Sequence, residues 1–249
     1  MKKSAAKKNK RPPKQVAGSP LRRQPDPVYA AISRREQETV VEIITSGQSA
    51  AKALEVGVSA LIWADHALAR FDSESDLPRP LACRTGCDHC CFNQVELTPP
   101  EALAIGHFVE RHFSREERER LLAHLSRSLA AKAGKGKREI ARIRRELPCP
   151  LLQAQKCSVY PARPLVCRAM HSLDAGQCRS SLLAGDLTSG DYYAERHELV
   201  QAIARGLQGG SRAMGCQSGI LDLARALQDY FQQPDPLGRW IRGEPVFSL

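Results

Sequence analysis

The sequence predicts a mainly α protein, a helical domain in which two irregular cysteine-rich loop regions converge on a metal site. Three observations carry this expectation. Apolar residues recur at three- and four-residue spacings through most of the chain beyond residue 27. Aromatic residues make up only 5% of the sequence, so the core must be filled by Leu, Ile, Val and Ala. Eight of the nine cysteines fall in two stretches where the helical spacing fails.

The length of 249 residues suits one domain with decorations. The net charge of +10 is concentrated at the start: residues 1–23 hold nine of the 37 Lys and Arg and no acid, leaving 28 basic against 27 acidic residues elsewhere. A Lys- and Pro-rich tail over residues 1–27 has too little apolar surface to offset the entropy of ordering and is expected to be disordered, ahead of a single helical domain over 28–249. Residues 1–23 suit either a solubilising role or binding of nucleic acid or another acidic partner by phosphate neutralisation. The basic start is followed by no apolar signal region, and no run approaches the roughly 18 apolar residues of a membrane span. The expected setting is therefore cytoplasmic, where thiols stay reduced and clustered cysteines are metal ligands rather than disulfides. An odd cysteine count agrees.

The first helix is expected over PDPVYAAISRREQETVVEIITS, with Gly47 as its stop. A second follows in SAAKALEVGVSALIWADHALARF, with Leu54, Val58, Leu61, Ile62, Leu68 and Phe71 near one face and Asp65 as a polar intruder. Beyond the first cysteine run, Thr98–Glu101 (TPPE) and Ser114–Glu117 (SREE) have the form of capping boxes, each opening a helix. The second of these carries Leu121, Leu122, Leu125 and Leu129 and ends near Gly134; KREIARIRREL then resumes the spacing until CPLL breaks it. The eight basic residues between Arg127 and Arg145 lack interleaved aromatics and read as a solvated face. Residues 149–178 are short-patterned and Pro-punctuated. Helices return in YYAERHELVQAIARGL and in SGILDLARALQDYF, the latter with Ser218 as its cap. The terminal PDPLGRWIRGEPVF is too rich in Pro and Gly for a helix, while Trp240, Ile241 and Phe247 should pack on the body.

Residues 83–91 read CRTGCDHCC and supply Cys83, Cys87, Cys90 and Cys91; the later stretch supplies Cys149, Cys157, Cys167 and Cys178. Zinc in a structural site takes four soft or imidazole ligands, and iron–sulfur clusters take thiolates in the same number. Eight cysteines suffice for two four-ligand sites, or for one with thiols to spare. Side chains at adjacent positions diverge, so Cys90 and Cys91 either serve neighbouring sites or include one non-ligand. Pro161 and Pro164 stiffen the segment that aims Cys157 and Cys167. Arg84, Arg163 or Arg168 would offset the charge of a four-thiolate site and donate to sulfur. Tyr160 reads as a packing residue, His89 as a loop histidine and Cys216 as a buried structural thiol.

The order CRTGCDHCC, CPLL, CSVYPARPLVCR and a final cysteine resembles the YkgJ-like cysteine-cluster family of zinc- or iron-chelating domains, whose pattern is CxxxCxxCC, CPxL, CxxYxxRPxxCR and one more cysteine. The resemblance covers Cys83 to Cys178. It implies that Cys83, Cys87, Cys90, Cys91, Cys149, Cys157, Cys167 and Cys178 are the metal-ligand set, and it adds weight to Arg163 and Arg168 as residues around the cofactor. It leaves zinc against iron open and supplies no reaction.

Three functions compete. The first is a cysteine-ligated metal protein, with an iron–sulfur cluster preferred over zinc and a redox or metal-handling role. The second is an iron–sulfur-dependent protein-modifying enzyme: Cys83, Cys87 and Cys90 have the CxxxCxxC spacing used by radical S-adenosylmethionine enzymes, and the resemblance reaches a flagellin lysine methylase. The absence of strand–helix alternation counts against a β/α barrel. The third is a structural-zinc adaptor that binds nucleic acid through its tail. Hydrolytic and nucleophilic chemistry find no support, since no Cys–His or Ser–His pair stands out. On the adaptor reading, removing residues 1–23 should abolish the salt-dependent part of RNA binding in a filter-binding titration; unchanged binding would exclude the tail as the contact.

Overall fold

The computed structural model describes residues 26–185 and 190–248. About 66% is helical, and the strands among the described residues are only two residues long, so the mainly α class holds. The helices are α1 (Pro27–Thr45), α2 (Ala50–Glu74), α3 (Pro99–His112), α4 (Arg115–Lys132), α5 (Lys137–Ile143), α6 (Leu165–Ala169), α7 (Ala175–Ala184), α8 (Ala194–Ala213), α9 (Leu223–Gln232) and α10 (Pro236–Ile241). Strand β1 (Glu96–Leu97) pairs antiparallel with β4 (Leu221–Asp222), Leu97 opposite Leu221; β2 (Leu152–Gln153) pairs with β3 (Lys156–Cys157). No helix among the described residues is long and apolar enough to cross a membrane. The tail expected over 1–27 lies outside the described residues except for Asp26 and Pro27, which belong to α1 as its cap and first residue.

Local sequence explains where the long helices begin. Asp26 accepts the Val28 amide at 2.9 Å with Pro27 at the first helical position. Ser49 accepts the Lys52 amide. Both capping boxes form: Glu101 closes on Thr98, and Ser114 and Glu117 exchange hydrogen bonds of 2.8 and 3.2 Å.

The faces these helices bury are less obvious. On α2, Ala53, Val56, Gly57, Ala60, Leu61, Ala64 and Leu68 face inward, whereas Val58 and Ile62 of the expected stripe stand in solvent. Small residues win because the neighbours come close: a Cβ on Gly57 would lie 2.3 Å from the Pro100 carbonyl oxygen. Helices α1 and α8 pack the same way, since a Cβ on Gly206 would meet the Ser33 carbonyl oxygen at 2.3 Å. The shared core is built from Val40, Ile44, Leu103, Ile105, Ile203, Leu207 and Leu227.

Two boundaries differ from the sequence reading. Leu221 and Asp222 pair with β1 before α9 starts, and Asp222, not Ser218, caps that helix by accepting the Ala224 and Arg225 amides. The Pro- and Gly-rich end contains α10, where Pro236 follows the capping Asp235 and Trp240 and Ile241 are buried; Phe247 packs as expected. The basic segment is not uniformly solvated either. Arg144 is buried, and Lys132 pairs with Asp222 at 2.7 Å.

Between α1 and α8, Glu36 is 1% exposed and its Oε1 has no hydrogen-bond partner among the described residues. Burial pushes its carboxyl up to about 8. The folded state therefore holds this proton more tightly than the unfolded chain, and stability contributed below the ordinary carboxyl range is lost as pH climbs toward 8. At about 1.4 kcal/mol per unit, the expected loss between pH 5 and 8.5 is on the order of 3 kcal/mol in urea unfolding. Glu36→Gln should flatten that profile and be the more stable protein at pH 8.5.

Candidate metal centre

The first cysteine run is a chain of tight turns. The Cys87 amide donates to the Arg84 carbonyl at 2.9 Å, with Gly86 at φ 83° supplying the left-handed residue. A 3-10 turn over His89–Phe92 follows, closed by Cys91 N–H to Asp88 and Asn93 N–H to Cys90. The second stretch begins at Cys149, whose amide donates to the Cys91 carbonyl at 2.7 Å, so the two runs are joined backbone to backbone. Ala154 and Gln155, both at positive φ, make the two-residue turn between β2 and β3. The hairpin returns Cys157 opposite Leu152, whose amide is bonded to the Cys149 carbonyl. Cys167 sits in α6 and Cys178 in α7, where Asp174 caps the helix by accepting the Gly176 and Gln177 amides.

Two buried side chains hold the second stretch against the helical body. Glu101 accepts from the Thr98 amide at 2.8 Å, the Thr98 hydroxyl at 2.7 Å and the Leu165 amide at 2.6 Å. Arg168 donates to both carboxylate oxygens of Asp65 at 2.9 and 3.1 Å and to the Pro161 carbonyl at 2.7 Å. Asp65, the polar intruder of α2, is thus the partner that brings the CSVYPARPLVCR segment onto that helix. Neither Glu101 nor Asp65 was recognisable as part of the site: the first had a complete local explanation as a cap, and the second signalled only through its misplaced polarity.

Cys83 and Cys90 are exposed, Cys87, Cys91, Cys149, Cys157, Cys167 and Cys178 are half-buried, and Cys216 is buried beside the Ile241 carbonyl. Burial pushes the Cys149 thiol up to about 12 and raises Cys167, Cys157 and Cys83 as well. Cys90 is raised first by its hydrogen bond with Cys91 and then by burial. Around Cys157 the Arg163 and Arg168 guanidiniums pull the other way. Arg163 stacks on Tyr160 at 4.1 Å, and Tyr160 is exposed rather than packed in the core. Arg168 Nη1 is buried without a partner among the described residues. Arg84 is exposed.

Among the described residues no group of three or more His, Cys, Asp or Glu side chains stands as a ready cage for a metal ion. The donor set nevertheless suits a thiophilic cation. Its thiols are reluctant to ionise alone, a bound cation supplies the missing charge, and an unpartnered guanidinium N–H beside Cys157 is suited to a thiolate. Cys90 and Cys178 also border a cavity of about 440 Å³, lined further by Asn93, Gln94, Arg144 and His171. Arg144 shapes it from α5 by bonding Asn93 and the Ser181 hydroxyl, the latter at 2.9 Å. His171 is held at both ring nitrogens, facing the Ala169 carbonyl and the Tyr193 amide, and burial lowers its basicity.

Residues 82–182 match a family model, CxxCxxCC, described as a "putative zinc- or iron-chelating domain". The matched span runs from just before Cys83 into α7 and contains all eight clustered cysteines. No curated protein and no solved structure matches the chain.

The clamp makes a specific demand on Glu101. Glu101→Gln replaces one accepting oxygen with a donor that faces the Leu165 amide or the Thr98 pair, and should cost about 2 kcal/mol in urea unfolding. It should also reduce the metal retained after dialysis, because the lost contact lies two residues from Cys167.

Proposed function

With residues 82–182 forming a CxxCxxCC zinc- or iron-chelating domain, we propose that the chain chelates iron or zinc through thiolates drawn from Cys83, Cys87, Cys90, Cys91, Cys149, Cys157, Cys167 and Cys178, and that iron in an iron–sulfur cluster is the preferred form. The observation that carries this reading is the Cys149 N–H to Cys91 carbonyl bond, which brings thiols some sixty residues apart in sequence into one neighbourhood. Binding requires the thiols to draw together from their present positions, and the turns around Cys87 and the hairpin turn at Ala154–Gln155 are short segments able to do so. Arg163 and Arg168 offset thiolate charge from beside Cys157. When bound, a cluster supplies one-electron chemistry and zinc supplies a fixed fold. A cytoplasmic setting fits eight reduced thiols.

A second reading, an iron–sulfur-dependent modifying enzyme, draws on the 440 Å³ cavity bordered by Cys90 and Cys178, which leaves room for a small substrate beside the thiols.

Strictly anaerobic purification followed by metal and sulfide analysis tests the proposal. The expected protein is brown and contains iron and acid-labile sulfide. Colourless protein with stoichiometric zinc and no sulfide would exclude the iron–sulfur form, and protein with neither metal would exclude chelation.

A further inference from the structure

The clustered cysteines fall into two unlike sets. Cys149, Cys157 and Cys167 pack, half-buried, against the apolar core. The β2–β3 hairpin brings the first two together, and Glu101 anchors the start of the helix that carries the third. Cys83, Cys87 and Cys178 are not among the residues packed on that core. Their segments are held instead by the Ala82 amide on the Ser172 carbonyl at 2.9 Å and by α7 lying against the His89–Phe92 turn.

Mutual charge effects divide the thiols the same way. Thiolates at Cys87 and Cys178 oppose ionisation of Cys83, while those at Cys149 and Cys157 oppose ionisation of Cys167. Cys90 stands between the sets but leans inward: its charge acts on Cys149, Cys157 and Cys167, and in the outer set on Cys83. Cys91 is engaged with the Cys90 sulfur.

We propose that the domain holds two metal centres, an inner one on Cys90, Cys149, Cys157 and Cys167 and an outer one on Cys83, Cys87 and Cys178, with Cys91 serving as a hydrogen-bond partner of Cys90 rather than a ligand. The inference rests on the thiolate-chelation reading above. Four thiolates seated on the core make a closed, structural composition, whereas three protein ligands leave a fourth position for an exogenous donor. The cavity bordered by Cys178 provides that donor's room and is lined by the polar ends of Asn93, Gln94 and Arg144, so the outer centre takes a small polar molecule as its fourth ligand. This grouping departs from the contiguous triad suggested by CxxxCxxC, because Cys90 turns to the inner set and Cys178, far along the chain, replaces it.

The test uses full-length protein purified anaerobically with its own metal. Release to EDTA is timed, and cysteines freed in each phase are alkylated with iodoacetamide and mapped by mass spectrometry. Two phases are expected, separated by at least about tenfold in rate, since exchange is faster where a ligand position is open. Cys83, Cys87 and Cys178 should be alkylated in the first phase, with Cys90, Cys149, Cys157 and Cys167 protected until the second. Cys178→Ser should lose the fast phase alone, and Cys91→Ser should keep both. A single phase freeing all thiols together, or loss of all metal from Cys178→Ser, would overturn the two-centre assignment while leaving chelation intact. Wild-type protein without metal would overturn the chelation reading itself, and the wild-type alkylation map decides the assignment even where a variant fails to fold.

Discussion

One carboxylate carries an unusual share of this structure. Glu101 is 2% exposed and accepts three hydrogen bonds, two from Thr98 at the head of α3 and one from Leu165 at the head of α6. Burial raises its pKa, and the hydrogen bonds with Thr98 and Leu165 and the charge of Arg168 oppose that rise. A local cap has become a tertiary joint, because the same side chain that ends one cysteine-bearing loop starts the helix bearing Cys167. Arg168 adds a second joint three residues later, spanning Asp65 of α2 and the Pro161 carbonyl. Loss of either joint would free the CSVYPARPLVCR segment from the helices while leaving those helices intact.

The thiols are placed in an environment that a metal improves. Without a cation, burial and neighbouring thiolates keep Cys149, Cys157 and Cys167 protonated, and the hydrogen bond between Cys90 and Cys91 does the same for Cys90. Half-buried neutral thiols are tolerable in a core margin, so the domain can fold first and bind afterwards. Arg163 and Arg168 then lower the cost of ionising Cys157, the thiol between them and the rest of the cluster. The helical body contributes stiffness by close packing: Gly57 on α2 and Gly206 on α8 let backbones approach to distances that any side chain would forbid.

Much of this was legible one segment at a time. The capping boxes at Thr98–Glu101 and Ser114–Glu117 form as written, because a cap is satisfied by residues three positions apart. Where a partner lies far away, local reading failed. Leu221 and Asp222 read as part of a helix until Glu96 and Leu97 pair with them. Val58 and Ile62 look like core residues of α2, yet the small residues beside Gly57 take the interior because the neighbouring α3 approaches too closely for larger ones. Pro236 and Gly238 suggested a coil, but Asp235 caps a short turn that the burial of Trp240 and Ile241 makes worth forming. The side chains placing the cysteine segments were hidden for the same reason: nothing near Glu101 in sequence announces Leu165.

The sequence by itself determined the helical class, the starts of the main helices and the identity of the sulfur donors, since periodicity, caps and cysteine spacing are properties of neighbouring residues. Only the tertiary structure decided which cysteines are neighbours. Cys149 meets Cys91 through a backbone hydrogen bond, Cys178 borders the same cavity as Cys90, and Cys157 and Cys167 come to rest on the core. Those relations depend on packing three helices between the two runs and on the Glu101 and Arg168 joints that hold the result, long-range contacts whose geometry no local pattern encodes.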